Sequence, residues 1–205
     1  MAESQQALRE HKKISADCLK QLFLEARTHW VWRPEPVPID VLKEVYDVTR
    51  FGPTSANSSP ARFVFLTTPK AKERLRTALS PTNVEKTMTA PVTVIVAWDT
   101  EFHEKLPQLF PARDMRALFA GNSALIHETA FRNGTLQGAY FMLAARALGL
   151  DCGPMSGFDQ QKVNAEFFPD GKWKANFLCN LGYGDPTKLF PRNPRLSFDE
   201  ASRVL

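Results

Sequence analysis

Two spacings recur along the chain, one of three to four residues and one of two, and they divide it into helical and extended stretches. Behind Ser15, whose hydroxyl suits an N-cap, Leu19, Leu22, Phe23 and Ala26 recur at helical spacing. They predict an amphipathic helix that ends near Arg27-Thr28-His29. Residues 30–38 contain Pro34, Pro36 and Pro38 and read as an extended arm. A second helix is capped around Asp40, places Leu42, Val45, Tyr46 and Thr49 on one side, and stops at Gly52. Residues 63–68 predict a buried strand and residues 69–79 a charged surface helix opened by Pro69. A short helical turn over 83–89 leads to residues 92–98, whose β-branched run predicts a strand covered on both faces.

Residues 99–122 mix Phe102, Leu106, Leu109, Phe110 and Phe119 with Lys105, Arg113 and Arg116, a composition suited to a lid or arm over a site. The longest helical run is 123–148, closed by Gly149, with Leu136, Ala139, Tyr140, Leu143, Ala147 and Leu148 as its expected buried stripe. Gly134, Gly138, Ala139, Ala144 and Ala145 would let another helix approach closely. The run is therefore a candidate centre for a dimer interface, and its plainer reading is one core helix of a monomer. A short helix over 159–168 and a half-buried strand over 173–181 complete the periodic part. A polar, disordered start is expected over 1–13 and a C-terminal arm over 183–205. Helices and strands interleave without a regular strand–helix–strand repeat, which favours a single α+β layered domain over 1–205 rather than a doubly wound sheet.

Composition narrows the function classes. At 205 residues the chain can bury a sizeable core, and its shares of 43% apolar and 23% charged residues are those of a soluble globular protein. The net charge of +4 is spread along the chain with acids among the bases, and no nucleic-acid motif accompanies it; a small anionic ligand accounts for the excess equally well. Cys18, Cys152 and Cys179 contain no Cys-x-x-Cys pair and read as reduced packing residues of a cytoplasmic protein. The longest apolar run, 91–98, is too short to cross a bilayer, and the first residues lack the apolar core of a signal peptide.

Several familiar chemistries have no motif here. There is no Gly-x-x-x-x-Gly-Lys-Ser/Thr loop and no His-Glu-x-x-His, the four histidines lack metal-ligand spacing, and no metal is expected. Gly153-Pro154-Met155-Ser156-Gly157 misses the hydrolase elbow by one position, and Gly182-Tyr183-Gly184 is only half a dinucleotide fingerprint. The stretch that stands out is Gly52-Pro53-Thr54-Ser55-Ala56-Asn57-Ser58-Ser59-Pro60. Its prolines and glycine exclude helix or central strand, and its hydroxyl and amide groups can hydrogen-bond a flat heterocycle without adding charge. The plain reading is a connector with turn chemistry.

Together with Arg27, the run Pro154-Met155-Ser156-Gly157-Phe158-Asp159, Ala147-Leu148-Gly149-Leu150-Asp151 and an arginine-bearing tail, this loop resembles the Pro-Ser/Thr-Ser-x-Asn-Ser motif of the nitroreductase family of FMN enzymes. The likeness runs from about Leu22 to Arg195. It is strongest to the branch that reduces malonic semialdehyde in uracil breakdown, on residues 25–29, 80–88, 90–94, 119–122 and 191–200. The resemblance implies a layered α+β fold with a mixed sheet flanked by helices, an intertwined homodimer, and FMN bound at the subunit interface. It implies ping-pong hydride transfer, with NADH or NADPH as co-substrate and the flavin rather than a His or Cys side chain doing the chemistry.

Carried over by position, Arg27 and His29 would hold the FMN phosphate, joined by Arg192 or Arg195. Thr54, Ser55 and Asn57 would reach the flavin from the partner subunit, Asn83 and Lys86 would contact its ring or ribityl side, and the backbone of Ser156 and Gly157 would face N5. A substrate carboxylate would call on Arg62, Arg113, Arg116 or Arg132. Two positions depart from the family pattern. Ser59-Pro60-Ala61 stands where Gln-Pro-Trp is common, and Ser156 stands where many members carry an acid, so only a backbone role carries over there. The rival readings are a broad nitro or quinone reductase on the same fold, a flavin-binding or redox-sensing protein without turnover, and an RNA-associated module with no aromatic-basic motif to support it.

Overall fold

Strand formation by the β-branched run at residues 92–98 sets the centre of the molecule. The structure, a computed structural model, describes residues 12–205; of the polar start expected over 1–13, residues 1–11 lie outside the described residues. Four strands, β1 (Ala61–Leu66), β2 (Val92–Asp99), β3 (Asp151–Met155) and β4 (Trp173–Gly182), form one sheet in the order β1-β2-β4-β3. All three pairings are antiparallel, and the parallel element expected of a mixed sheet is a single bridge between Thr28 and Cys152. Every residue of β2 is buried, as its unbroken apolar pattern requires.

The helices divide between the faces of this sheet. The first, α1 (Ala16–Leu19), is N-capped by Ser15 and runs on into a π-helical turn over Lys20–Leu24. It is followed by α2 (Ile39–Thr49), α3 (Pro69–Arg76), α4 (Pro81–Thr89), α5 (Leu106–Leu109), α6 (Ser123–Ala147), α7 (Gln160–Phe167) and α8 (Phe198–Ala201). Leu42 and Val45 of α2 and Phe141, Ala144 and Ala145 of α6 pack with Val92, Val94 and Val96 on one face. Leu75 of α3, Val163 of α7 and Phe168 pack with Ile95, Ala97 and Leu178 on the other. Alternate residues of β2 thus point into two separate apolar layers.

Three expectations change. The buried face of α6 consists of Thr129, Ala130, Asn133, Gly134, Gln137, Gly138, Phe141, Ala144 and Ala145, so the predicted stripe through Leu136 and Ala139 lies on the outer side. The small residues explain the shift. A Cβ on Gly134 would lie 3.0 Å from Trp98 Cβ, and one on Gly138 would lie 2.6 Å from the Phe177 ring. The glycines therefore seat the helix against β2 and β4 of its own chain rather than against another helix. The first helical run buries none of its residues; Leu19, Phe23 and Leu24 are exposed. Strand β3 was not expected, because Gly153 and Pro154 suppress a strand pattern; proline is tolerated there because β3 is a sheet edge.

Residues 99–122 wrap as two 3₁₀ turns, Phe102–Lys105 and Arg116–Leu118, around α5, and Phe102, Leu106 and Phe119 form a small core with Trp98 and Ala130. Residues 189–197 lie along the surface without regular structure, and Leu196, Phe198, Val204 and Leu205 are exposed.

The seating of α6 gives a direct test. Gly134→Val forces two methyl groups onto Trp98 and is expected to destabilise the fold by about 2 kcal/mol, the range of core overpacking. In urea unfolding this should appear as a lower midpoint at an unchanged slope.

Candidate functional site

A cleft of about 990 Å³ opens between the end of the first helical run, the tail at Phe190–Arg195, the C-terminal end of α6 and strand β3. Arg27, Lys86, Arg146, Arg192 and Arg195 all line it, and no carboxylate is among its lining residues. The guanidinium groups are held by main-chain carbonyls. Arg27 donates to the Phe190 carbonyl, and Arg192 Nη2 donates to the carbonyls of Leu24 at 2.8 Å and Ala26 at 3.0 Å. Arg195 Nη1 donates to the Asn193 and Pro194 carbonyls at 2.9 and 3.0 Å, and Trp30 stacks on Phe190 with ring centroids 4.9 Å apart. The tail and the first helical run are thus tied together in both directions. Lys86 is placed by its own carbonyl, which accepts from Trp32 Nε1 and from Asn180 Nδ2, each at 3.1 Å. Burial lowers the pKa of its ammonium group, and no acid pairs with it among the described residues.

His29 lies at the floor of this cleft and is buried. Its Nε2 is 3.4 Å from Asp151 Oδ1, while its Nδ1 is buried without a partner. Asp151 Oδ2 accepts from the Gly184 N–H at 2.9 Å, and a Cβ on residue 184 would collide with His29 Nδ1 at 1.9 Å, so only glycine allows the ring its place. Desolvation lowers the His29 pKa from 6.5; the Asp151 charge opposes that shift and the Arg27 charge adds to it. His29 is accordingly a neutral strut joined to Asp151, and the cationic work of the cleft falls to the arginines and Lys86.

The remaining expected residues are distributed as follows. Asn83 is buried and does not line the cleft; its Nδ2 donates to the Gly157 carbonyl at 2.7 Å, which also accepts from the Ser80 N–H at 3.0 Å. It therefore fixes the Ser156–Gly157 backbone, with Ser156 itself exposed. Thr54, Ser55 and Asn57 are not brought to the cleft of their own chain. Thr54 Oγ1 accepts from the Ser59 N–H at 3.1 Å, the Ser55 N–H donates to Asn133 Oδ1 at 2.8 Å, and Asn57 Nδ2 donates to the Leu109 carbonyl at 2.7 Å. Ala56, Asn57 and Ser59 adopt left-handed backbone angles, φ 50°, 49° and 40°, so the loop is strained.

None of Arg62, Arg113, Arg116 and Arg132 lines the cleft. Arg62 is paired with Asp99 at 2.5 Å, Arg116 with Glu104 at 3.0 Å, and Arg132 with Glu128; Arg113 is exposed. Three of the four thus pair with a carboxylate of the protein, Arg116 and Arg132 on the exposed surface. Sequence reasoning passed over Arg146, whose place in the last turn of a helix reads as a partner of the helix dipole, and it passed over Asp151. Cys18 is exposed rather than packed, and Cys152 and Cys179 are buried free thiols. Among the described residues no His, Cys, Asp and Glu cluster could hold a metal ion, and no helix is long and apolar enough to cross a membrane.

Residues 25–183 match the family model described as the nitroreductase family. The chain is 62% identical over 187 residues to a protein of Rhodopseudomonas palustris (strain TIE-1) provisionally named NADH dehydrogenase/NAD(P)H nitroreductase, covering 91% of this chain and 95% of the relative. A protein of the same provisional name from Ralstonia nicotianae is 62% identical over 192 residues, covering 94% and 98%. Among solved structures, a provisionally assigned nitroreductase from Exiguobacterium sibiricum 255-15, crystallised in complex with FMN, has a TM-score of 0.82 at 16% identity, covering 95% of this chain and 100% of that one.

The buried histidine predicts a pH dependence of stability. Its folded pKa lies below the unfolded value of 6.5, so as pH falls through that value the unfolded chain takes up a proton that the native fold does not. Stability is complete above 6.5 and is lost as pH falls towards the folded pKa. Urea unfolding at about pH 7.5 and about pH 5.5 should show this loss, and His29→Gln should reduce the difference between the two.

Proposed function

The chain belongs to the nitroreductase family, and from that premise we propose that it is an FMN-dependent NAD(P)H oxidoreductase that reduces malonic semialdehyde to 3-hydroxypropanoate in pyrimidine degradation. The observation that carries the cofactor reading is the cleft lined by Arg27, Lys86, Arg146, Arg192 and Arg195 with no acid, a donor set that suits a dianionic phosphate. Arg27, Arg192 and Arg195 would hold the phosphate, Lys86 would serve the ribityl or ring side, and the Ser156–Gly157 backbone that Asn83 fixes would present main-chain groups to the ring. When bound, FMN supplies the hydride-transfer chemistry between NADH or NADPH and the substrate. The chain's own residues would grip the charged end and orient the ring.

Thr54, Ser55 and Asn57 do not line the cleft of their own chain, so in this reading a second copy of the chain supplies them and the working unit is a homodimer. The exposed apolar residues support such an association: Phe23 and Leu24 beside the cleft, Phe51 at 80% exposure, and Phe131 and Leu136 on the outer side of α6. The substrate half of the proposal rests on the residue pattern at 25–29, 80–88, 90–94, 119–122 and 191–200. The names of the relatives favour a second reading, a broad nitro or quinone reductase. The carboxylate pairings of Arg62, Arg116 and Arg132 agree with that alternative, since they leave fewer arginines for an acidic substrate.

Purified protein is expected to be yellow and to bleach on adding NADH or NADPH. Turnover on malonic semialdehyde exceeding that on menadione and nitrofurazone supports the specific reading. The reverse order supports the broad one, and a chain that fails to bind FMN ends both.

A further inference from the structure

We propose that Arg146 is an anion-binding residue of the cleft, a guanidinium that takes a phosphate oxygen alongside Arg27, Arg192 and Arg195. The proposal rests on the cofactor reading above and extends it to a residue outside the motifs that suggested it. Arg146 lines the cleft from the last turn of α6, a helix of 25 residues whose inner face is locked to the sheet. Arg192 and Arg195 stand instead on an exposed tail without regular structure. Among the described residues, Arg146 makes one hydrogen bond from its side chain, Nη1 to the Leu22 carbonyl at 2.9 Å. Its Nε is buried with no acceptor, and no carboxylate pairs with the group. A buried charged N–H without an acceptor is costly, so such groups are normally matched by an acid, a carbonyl or a bound anion. Neither an acid nor a carbonyl meets Nε here, and the cleft that Arg146 lines already collects four other cations, Arg27, Lys86, Arg192 and Arg195, with no acid to balance them.

The Leu22 contact has a second consequence. It is reciprocated by Gln21 Nε2, which donates to the Arg146 carbonyl at 2.7 Å, so the last turn of α6 and the end of the first helical run hold each other in register. The planar fork is thereby oriented before a ligand arrives, which lowers the entropy lost on binding. A purely structural Arg146 would need the Nη1 contact and nothing more; the charge and Nε would be idle.

Arg146→Gln removes the charge together with the Nη1 contact to Leu22, and the choice of flavin separates the two roles, because loss of a structural contact alone weakens both flavins equally. Full-length wild type and variant are titrated with FMN and with riboflavin, which lacks the phosphate, by quenching of flavin fluorescence. Their thermal midpoints are also measured with and without inorganic phosphate in the absence of flavin. FMN affinity should fall about tenfold, the effect of one charge-assisted hydrogen bond, with riboflavin affinity unchanged. Arg146→Lys should recover part of the loss, and the rise in midpoint produced by phosphate should shrink in Arg146→Gln. Equal losses for the two flavins, no loss for either, or an unaltered phosphate effect overturns the proposal. If wild type binds neither flavin yet is stabilised by phosphate through Arg146, the cofactor reading fails and the anion site stands; if neither flavin nor phosphate has any effect on wild type, both fall.

Discussion

Like charges that share a cleft with no acid among them need some other group to hold each side chain in place. Here main-chain carbonyls do so. Arg27 is held by Phe190, Arg192 by Leu24 and Ala26, and Arg146 by Leu22. The carbonyls of Leu22, Leu24 and Ala26 lie in or just beyond the last turn of a helical run, where backbone acceptors lack intrahelical partners and carry the negative end of the helix dipole. A guanidinium satisfies them without losing its own net charge. The same contacts therefore finish a helix, tie down an otherwise unstructured tail and leave the cleft strongly positive.

The position of those clamps is inherited from the sheet. Gly134 and Gly138 let α6 lie close enough to β2 and β4 for Phe141, Ala144 and Ala145 to enter the core, and the same rigid helix delivers Arg146 at its far end. On the opposite side of the cleft, the Thr28–Cys152 bridge and the bond from the His29 N–H to the Cys152 carbonyl, 3.1 Å, fasten the Arg27 segment to edge strand β3. Gly153 and Pro154 of that strand line the cleft directly. A residue pair that obscures strand formation in the sequence thus serves as the wall of the site.

Much of this was legible from spacing alone. The continuous apolar run at 92–98 announced a fully covered strand, and Ser15, Pro69 and Asp159 marked helix starts, Ser15 and Asp159 standing as N-caps and Pro69 as a first helical residue. What spacing could not settle was which of two faces of α6 turns inward. Period alone offered both, and the larger aliphatic residues suggested Leu136; the sheet selected the glycine face because Trp98 and Phe177 fill the space that larger side chains would need. The candidate site was legible in part for a related reason. Arg27, Lys86, Arg192 and Arg195 belong to recognisable motifs, whereas Arg146 becomes part of the cleft, and Asp151 the partner of His29, only when distant segments meet. Asn83, expected at the ring or ribityl side of the flavin, donates to the Gly157 carbonyl and does not line the cleft.

Electrostatics further divides the cleft into a charged rim and a neutral floor. A protonated His29 would add a buried positive charge next to Arg27, and the half-exposed Asp151 does not outweigh that cost, so burial prevails and the imidazole stays neutral. Lys86 feels the same pressure but keeps a flexible stem and an open cleft in front of it. An anion entering the cleft therefore meets guanidinium groups that cannot shed their charge and the Lys86 ammonium group, beside an imidazole that burial biases towards its neutral form. The division favours a ligand with a concentrated negative charge at one end and an uncharged body, since only the rim offers full charges and only the floor and the main chain offer neutral hydrogen bonds.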